Sequence, residues 1–170
     1  DEDEFPAQDM YKTSPVQVNL IPQEAELLDD PMIVEMALQP QGSLDVNVKV
    51  GDDEFQKHFD KLPAVFPTAR GTLAFFMSPD SLISKGTEDV DLEKKVRNIT
   101  ATINNPLRVA RWYCKSMTIE PTSKTTSVAV ISLKNSSLRR GQDFINKLLE
   151  MYNINTNNDK NEIAQKTAEF

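Results

Sequence analysis

The stretch LDVNVKV, residues 44–50, alternates apolar and polar side chains more cleanly than any other part of this 170-residue chain. Its apolar members are Leu44, Val46, Val48 and Val50, and its polar members are Asp45, Asn47 and Lys49. Because successive side chains of a strand point to opposite faces, the alternation separates an inward set from an outward set. The stretch therefore predicts a strand in a sheet with one buried face.

The segments on either side of residues 44–50 extend this pattern into a meander. PMIVEMALQ, residues 31–39, alternates in the same way, and EFQKHF, residues 54–59, does so less cleanly. The turn sequences QPQGS and GDD separate the three segments. Residues 31–59 are therefore predicted to form consecutive antiparallel strands.

The rest of the N-terminal half predicts two further strands and several irregular segments. PVQVNLI, residues 15–21, and TLAFFM, residues 72–77, have strand character, whereas LPAVFPTARG, residues 62–71, predicts a proline-punctuated link. Residues 78–93 show no period and predict a loop, and residues 1–14 predict a mobile acidic segment.

A strand and a helix open the C-terminal half. KKVRNITATI, residues 94–103, predicts the strand; Asn105 is a good N-cap for the helix, and Pro106 fits its first position. The helix face expected to point inward carries Leu107, Ala110, Cys114 and Met117. Cys114 is the only cysteine, so no disulfide can form within the chain, and its neighbours predict a buried, inert thiol.

Two more strands and a long helix end the sequence. Residues 118–121 and 127–133 predict strands, and NSS, residues 135–137, caps the helix. The helix carries a stripe of Leu138, Phe144, Ile145, Leu148, Leu149 and Tyr152. The contacts expected between strand and helix involve Val130, Ile131, Phe144, Leu148 and Tyr152. Residues 153–159 favour a helix only weakly, and the helical period then resumes up to Phe170. We therefore expect the helix to continue in a longer parent protein.

These elements predict an α+β fold that forms one compact domain. Residues 15–93 form a β-rich meander subregion, and residues 94–170 form a β-α-β-β-α unit that ends in the start of a long helix. This order suits helices packed on one face of an antiparallel or mixed sheet, close to the ferredoxin-like pattern. The ferredoxin-like fold has four strands, and residues 94–170 predict three of them. The fourth is expected either from the first subregion or from chain upstream of residue 1.

Charge is distributed unevenly between the two predicted subregions. Residues 1–93 hold six basic and 20 acidic residues, a net charge of −14, whereas residues 94–170 hold 13 and six, a net charge of +7. Two explanations are open. Either the two halves pack on each other, or the basic half faces another copy of the chain or an anionic polymer. The basic candidates for such contacts are Arg97, Arg108, Arg111, Lys115, Arg139 and Arg140. Nucleic acid is not expected, because the basic residues show no interleaved aromatics and no known motif.

No constellation typical of an enzyme is evident in the sequence. His58 is the only histidine and stands among charged residues, so we expect a solvated side chain and no zinc site. The acidic pairs Asp29–Asp30 and Asp52–Asp53 could face each other as glycosidase carboxylates do, but turn chemistry explains them more simply. No catalytic residue, metal or cofactor is therefore predicted, and no run of apolar residues is long enough to span a membrane.

The C-terminal half resembles the periplasmic region of bacterial polysaccharide co-polymerases. These are the Wzz-type chain-length determinants and the exopolysaccharide tyrosine autokinases, here most like those of Bacteroidetes. The resemblance covers residues 94–170 and, more loosely, residues 15–77. The family pattern falls on Asn105–Pro106, on the residues from Thr125 to Ser132, on Asn146–Lys147–Leu148 and on Tyr152.

The resemblance implies a non-catalytic scaffold on the periplasmic side of the inner membrane. It implies two membrane helices outside this segment, a long helix that projects into the periplasm, and homo-oligomeric rings that regulate the chain length and export of capsule, O-antigen or exopolysaccharide. The implied partners are other copies and the polymerase or export machinery, with anionic polysaccharide as a further candidate. The segment has no kinase part, so kinase activity would belong elsewhere in the parent. The alternative is an exported carbohydrate-binding module, for which Trp112 is the best aromatic platform, although its place beside Tyr113 favours packing.

Overall fold

The computed structural model describes residues 9–78, 96–123 and 127–168, and it confirms an α+β fold. The strands are β1 (Val16–Leu20), β2 (Met32–Leu38), β3 (Leu44–Val50), β4 (Asp53–Phe59), β5 (Ala64–Thr68), β6 (Gly71–Met77), β7 (Arg97–Ile103), β8 (Met117–Pro121) and β9 (Ala129–Leu133). The helices are α1 (Pro22–Glu26), α2 (Pro106–Ser116) and α3 (Leu138–Ala168). The predicted loop between β6 and β7 and most of the predicted mobile N-terminal segment lie outside the described residues.

The chain divides into two compact units, Asp1–Arg111 and Trp112–Phe170, with the division inside α2. The boundary predicted near residue 93 falls outside the described residues. The strand that follows it, β7, pairs with β2 along all seven residues of both strands. The first unit therefore includes a strand that the sequence assigned to the second subregion.

A four-stranded antiparallel sheet forms the larger part of the first unit. Its order is β4-β3-β2-β7, so the predicted meander of β2, β3 and β4 is confirmed. The alternation of residues 44–50 is confirmed as well, because every second side chain is buried along both β2 and β3. Together with Phe66, Leu73 and Phe75 of the neighbouring sheet, these side chains form the hydrophobic core.

The second sheet of the first unit has the order β1-β6-β5. Residues 62–71 were predicted to be a link, but Ala64–Thr68 pairs with β6, because a proline is tolerated at a sheet edge. The short helix α1 was also not predicted, and Glu24 on it accepts a hydrogen bond from the Thr72 amide at 2.8 Å. Gly71 has a φ of 136°, and a Cβ there would lie 2.8 Å from Leu20 Cδ1, so this turn requires glycine.

The second unit consists of the β8–β9 hairpin, the end of α2, and α3. The order from β7 to α3 is the predicted β-α-β-β-α. Its first strand pairs with β2, however, while β8 and β9 form a separate two-stranded sheet. The strand pairing therefore differs from that of a single ferredoxin-like sheet.

The inward face predicted for α2 is wrong. Leu107 is 62% exposed and Cys114 is also exposed, so the predicted buried thiol is a surface thiol. Tyr113 is buried instead, and its ring stacks on Phe144 with centroids 4.1 Å apart. Apolar residues occur on several sides of this helix, so the tertiary partner, and not the pattern, decides which face is covered.

The long helix α3 is continuous through the weak stretch 153–159 and spans 31 residues. Ile131, Phe144 and Leu148 are half-buried, as the expected contact between strand and helix requires. Val130 is 50% exposed and Tyr152 is 67% exposed, so their expected place in this contact is wrong. Each lies on a face that no other described element of the second unit covers.

Candidate functional site

The six basic residues predicted as contact candidates are divided between the two units. Arg97, Arg108 and Arg111 belong to the first unit, and Lys115, Arg139 and Arg140 belong to the second. All are exposed except Arg140, which is half-buried and has a partner of its own. None of the six lines either of the two clefts described below.

Arg108 has a structural partner that the sequence did not reveal. Its guanidinium donates a hydrogen bond to the main-chain oxygen of Asp29. The preceding cap residue Asn105 accepts the Leu107 amide at 3.0 Å, as predicted for an N-cap, and donates to the Glu26 oxygen at 2.7 Å. The start of α2 is thus tied to the segment after α1, and Arg108 contributes to that attachment.

The charge contrast is smaller when it is counted over the two observed units. Residues 1–111 hold 11 basic and 20 acidic residues, a net charge of −9, and residues 112–170 hold eight and six, a net charge of +2. Five basic residues of the predicted C-terminal half therefore belong to the acidic unit. The smaller contrast weakens head-to-tail attraction between the units of neighbouring copies as a force for assembly.

The two acidic pairs singled out in the sequence line one cleft of about 630 Å³ in the first unit. Asp29 and Asp30 come from the bend before β2, Asp52 lies in the turn between β3 and β4, and Asp53 is the first residue of β4. Asp53 is engaged by Arg70, whose Nε and Nη2 lie 2.7 and 2.6 Å from its Oδ2. One of the four carboxylates therefore has a structural partner at this turn.

His58 belongs to a hydrogen-bonded cluster on the outward face of the four-stranded sheet. Its Nδ1 lies 2.6 Å from Asp45 Oδ1, its Nε2 lies 3.4 Å from Asp60, and Gln39 donates to Asp45 at 3.0 Å. The hydrogen bond to Asp45 raises the pKa of His58 above its usual 6.5. The same bond, supported by Gln39, lowers the pKa of Asp45 below its usual 3.8. The predicted solvated histidine is thus half-exposed and paired.

Glu35, Asn47 and Lys49 form a second cluster on the same face. Lys49 donates to Glu35 at 2.9 Å, which lowers the pKa of Glu35 and raises the pKa of Lys49. Asn47 donates to Glu35 at 3.1 Å and to Glu54 at 2.8 Å. The sequence contained a signal for this cluster, because its members on β2 and β3 are the polar half of the strand alternation.

The two clusters border a shallow groove of about 680 Å³. Carboxylates, amides, an imidazole, an ammonium and a hydroxyl line it, and its described lining includes no phenylalanine, tyrosine or tryptophan. The lining side chains include Glu35, Asp45, Asn47, Gln56, His58 and Thr100. Such groups can donate hydrogen bonds to a polar ligand and accept them from it.

Trp112 is half-exposed and lies edge-on to Tyr113, with ring centroids 5.0 Å apart. The neighbouring Tyr113, and not Trp112, is the packed aromatic side chain of α2. Its hydroxyl accepts a hydrogen bond from Asn135, which also accepts the Ser137 amide at 2.9 Å ahead of α3. Ser137 in turn caps α3, because its Oγ accepts the Arg140 amide at 3.4 Å. The base of α3 is therefore held by one aromatic stack and by the hydrogen bonds of Asn135 and Ser137.

Exposed apolar side chains are concentrated in the second unit. On the hairpin they include Ile119, Val128 and Val130, and on α3 they include Leu149, Met151, Tyr152, Ile154 and Ile163. Leu149, Tyr152 and Ile163 share one helical stripe with Thr156, because their spacings are three, four and seven residues. Single exposed apolar residues are ordinary, but a stripe of them is typical of a contact surface.

Within residues 9–78, 96–123 and 127–168, no group of three or more histidine, cysteine or acidic side chains is placed to hold a metal ion. None of the helices in the same ranges combines the length and apolar character that a membrane crossing needs. Comparison with family models, curated proteins and solved structures finds no match to this chain.

Proposed function

We propose that this chain is a scaffold domain of a membrane-anchored polysaccharide co-polymerase, on the periplasmic side of the bacterial inner membrane. The proposal rests on the resemblance of residues 94–170 to that family. One structural observation supports it: α3 carries an apolar stripe along a part of the helix that no other described element of the second unit covers. The domain acts by presenting this helix to a partner and not by chemistry of its own.

The geometry of α3 suits such a role. The helix packs against β9 near its start, where Phe144 and Leu148 are half-buried, whereas nearly every described side chain after Leu148 is exposed. The stretch 153–159 has a low helix propensity, because asparagine, threonine and aspartate are poor helix formers. An uncovered helix of this composition gains stability from a partner, and other copies of the chain are the partner that the family resemblance favours.

The proposed function is tested by deleting the gene in its host and measuring the length distribution of capsule, O-antigen and exopolysaccharide on gels. We expect the deletion to alter the length distribution or the amount of one polymer, and the intact gene to restore it. Unchanged polymers after the deletion would overturn the proposal.

Complementation with variants then tests the stripe itself. Leu149→Ser combined with Tyr152→Ser should fail to restore polymer length. The matched control, Asn155→Ser with Asn157→Ser, changes exposed polar residues of the same helix and should restore it. Both variant proteins must reach the wild-type level in the cell, since a loss of protein would mimic a loss of function.

A second candidate function is carbohydrate binding, and the groove on the four-stranded sheet is the observation that favours it. Its amide and carboxylate side chains suit a ligand with many hydroxyl groups. The described lining of the groove contains no phenylalanine, tyrosine or tryptophan on which a sugar ring could stack. Titration of the full chain with neutral and anionic oligosaccharides, followed by the NMR signal of His58, tests this function directly.

A further inference from the structure

We infer that β7 is a docking edge through which two copies of this chain pair, antiparallel and centred on Thr100. The two four-stranded sheets would then join into one eight-stranded sheet. The inference concerns the first unit and does not depend on the proposed function, which rests on α3. It is carried by three observations: an open edge, the contrast with the other sheet edges of the first unit, and self-complementarity.

Among the described residues, no strand pairs with the outer side of β7. The strand is the last in the order β4-β3-β2-β7, and within the described part of the chain it pairs with β2 on one side only. No backbone hydrogen bond between described residues reaches its other side. Asn98, Thr100 and Thr102 are exposed along its outward face. An edge of this length presents a row of unpaired amides and carbonyls, which is a template for another strand.

The other three sheet edges in the first unit carry features that discourage such pairing. The strand β4 has four charged or titratable residues, Asp53, Glu54, Lys57 and His58. The strand β5 contains Pro67, and the five-residue β1 directly follows Pro15. Charges, prolines and short length are the usual protections of an edge. Within the seven residues of β7 there is no proline, and Arg97 at one end is the only charged residue.

The sequence of β7 is complementary to itself when it pairs antiparallel about Thr100. In this register Thr100 faces Thr100 of the second copy, Asn98 faces Thr102, Ile99 faces Ala101, and Arg97 faces Ile103. Threonine pairs hydrogen-bond across strands, and the apolar pairs lie on the side that continues the core. No two like charges meet, because the single arginine lies at the strand end.

A second open edge exists on β9 in the other unit, and it is the main rival. The residues AVISL of β9 carry neither charge nor proline. The strand β9 is five residues long and belongs to a two-stranded sheet, whereas β7 is seven residues long and is held by a four-stranded sheet with a buried face. A rigid, longer edge loses less conformational freedom on pairing, so β7 is the better template.

Sedimentation of the full chain over a range of concentrations tests the inference. A strand-to-strand interface is small, so we expect a weak dimer with a Kd on the order of 100 µM. Thr100→Lys places two lysines opposite each other and should weaken the dimer by about fivefold or more. Gln56→Lys is the matched control, because Gln56 is exposed on the same face and in the same row of the sheet, at its opposite edge. It should leave the Kd unchanged.

Charge exchange makes the test specific for the register. Thr100→Glu alone should also weaken the dimer, whereas an equimolar mixture with Thr100→Lys should form a heterodimer at least as tight as the wild-type dimer. Thermal melts of both variants confirm that each is folded, since Thr100 is exposed and its replacement removes no core contact.

Three results would overturn the inference. The first is a wild-type chain that stays monomeric at about 1 mM, ten times the expected Kd. The second is a dimer that tolerates Thr100→Lys but is broken by Ser132→Lys, which would assign the interface to β9. The third is a mixture of the two charged Thr100 variants that remains monomeric. Each of these leaves the deletion experiment on polymer length unaffected, so the two proposals fail separately.

Discussion

The two compact units differ in how they use apolar residues. In the first unit, alternating side chains of β2 and β3 interlock with β6 to form a closed core whose central members are fully buried. In the second, Tyr113 is the one hydrophobic side chain that is buried among the described residues, and several others remain exposed along the hairpin and α3. The difference indicates that the first unit is stable through its own core, whereas the second depends on a few contacts and on whatever covers its surface.

The largest effect is expected from the core of the first unit. Phe75 is fully buried, so Phe75→Ala should lower the free energy of unfolding by about 3–5 kcal/mol, through lost transfer energy and the cavity left behind. Urea denaturation followed by the NMR signal of His58 reports on this unit. Phe76→Ala is the control, because the adjacent ring is 40% exposed and on the opposite face, and its effect should be much smaller. Equal effects would show that the closed core is misassigned.

A smaller effect is expected from the aromatic stack of the second unit. Phe144 is half-buried against Tyr113, so Phe144→Ala should destabilise this unit by about 1–2 kcal/mol. Trp112 is the only tryptophan and belongs to the same unit, so its fluorescence follows the transition. Tyr152→Ala should stay within about 0.5 kcal/mol of wild type, because Tyr152 is exposed. A larger loss for Tyr152 than for Phe144 would reverse our assignment of the covered face.

The stability of the exposed part of α3, residues 153–167, should depend on helix propensity alone. Asn155→Ala and Asn157→Ala replace poor helix formers at exposed positions and should each stabilise the helix by about 0.5 kcal/mol. Far-UV circular dichroism should show more helix, and hydrogen exchange should slow between residues 153 and 167. The His58 transition of the first unit should not move. No gain in helix would mean that this segment already has a partner.

The smallest effect is expected from the polar face of the first unit. The pKa of His58 is raised in the folded state, so the stabilisation that it supplies is fully present below pH 6.5 and is lost as the pH rises through the folded pKa. Asp45 has a lowered pKa, so its contribution is present above pH 3.8 and is lost as the pH falls through the folded value.

An NMR titration measures this pair directly, because His58 is the only histidine. In Asp45→Asn the pKa of His58 should fall toward 6.5, while Asp60→Asn should lower it less, since Asp60 lies farther from the ring. An unchanged pKa in Asp45→Asn would show that the hydrogen bond does not form in solution.

The sequence was sufficient where one physical rule decided the outcome. The alternation of residues 44–50 and 31–39 predicted β2 and β3 correctly, because a one-residue shift would turn every apolar side chain toward solvent. The cap at Asn105 was correct for a similar reason, since the side chain and the first helical amides are neighbours in the chain.

Prediction failed where the outcome depends on residues distant in the chain. The strand β5 was missed because Pro63 before it and Pro67 within it suggest a link, and only its edge position beside β6 makes pairing possible. The covered face of α2 was wrong because Tyr113 meets Phe144, 31 residues later, and that contact outweighs the stripe of Leu107 and Cys114. The polar clusters around Asp45 and Glu35 required the register of three strands, which the sequence does not contain in explicit form.

The length of α3 gives its small base a mechanical role. At 31 residues the helix is about 46 Å long, so a rotation of 10° at its base displaces its far end by about 8 Å. The ring pair Tyr113–Phe144 and the Asn135–Ser137 hydrogen bond lie at that base and restrain the angle of the helix. A substitution that lets the helix rotate by a small angle at its base would therefore cause the largest displacement at the far end of the helix, distant from the altered side chain.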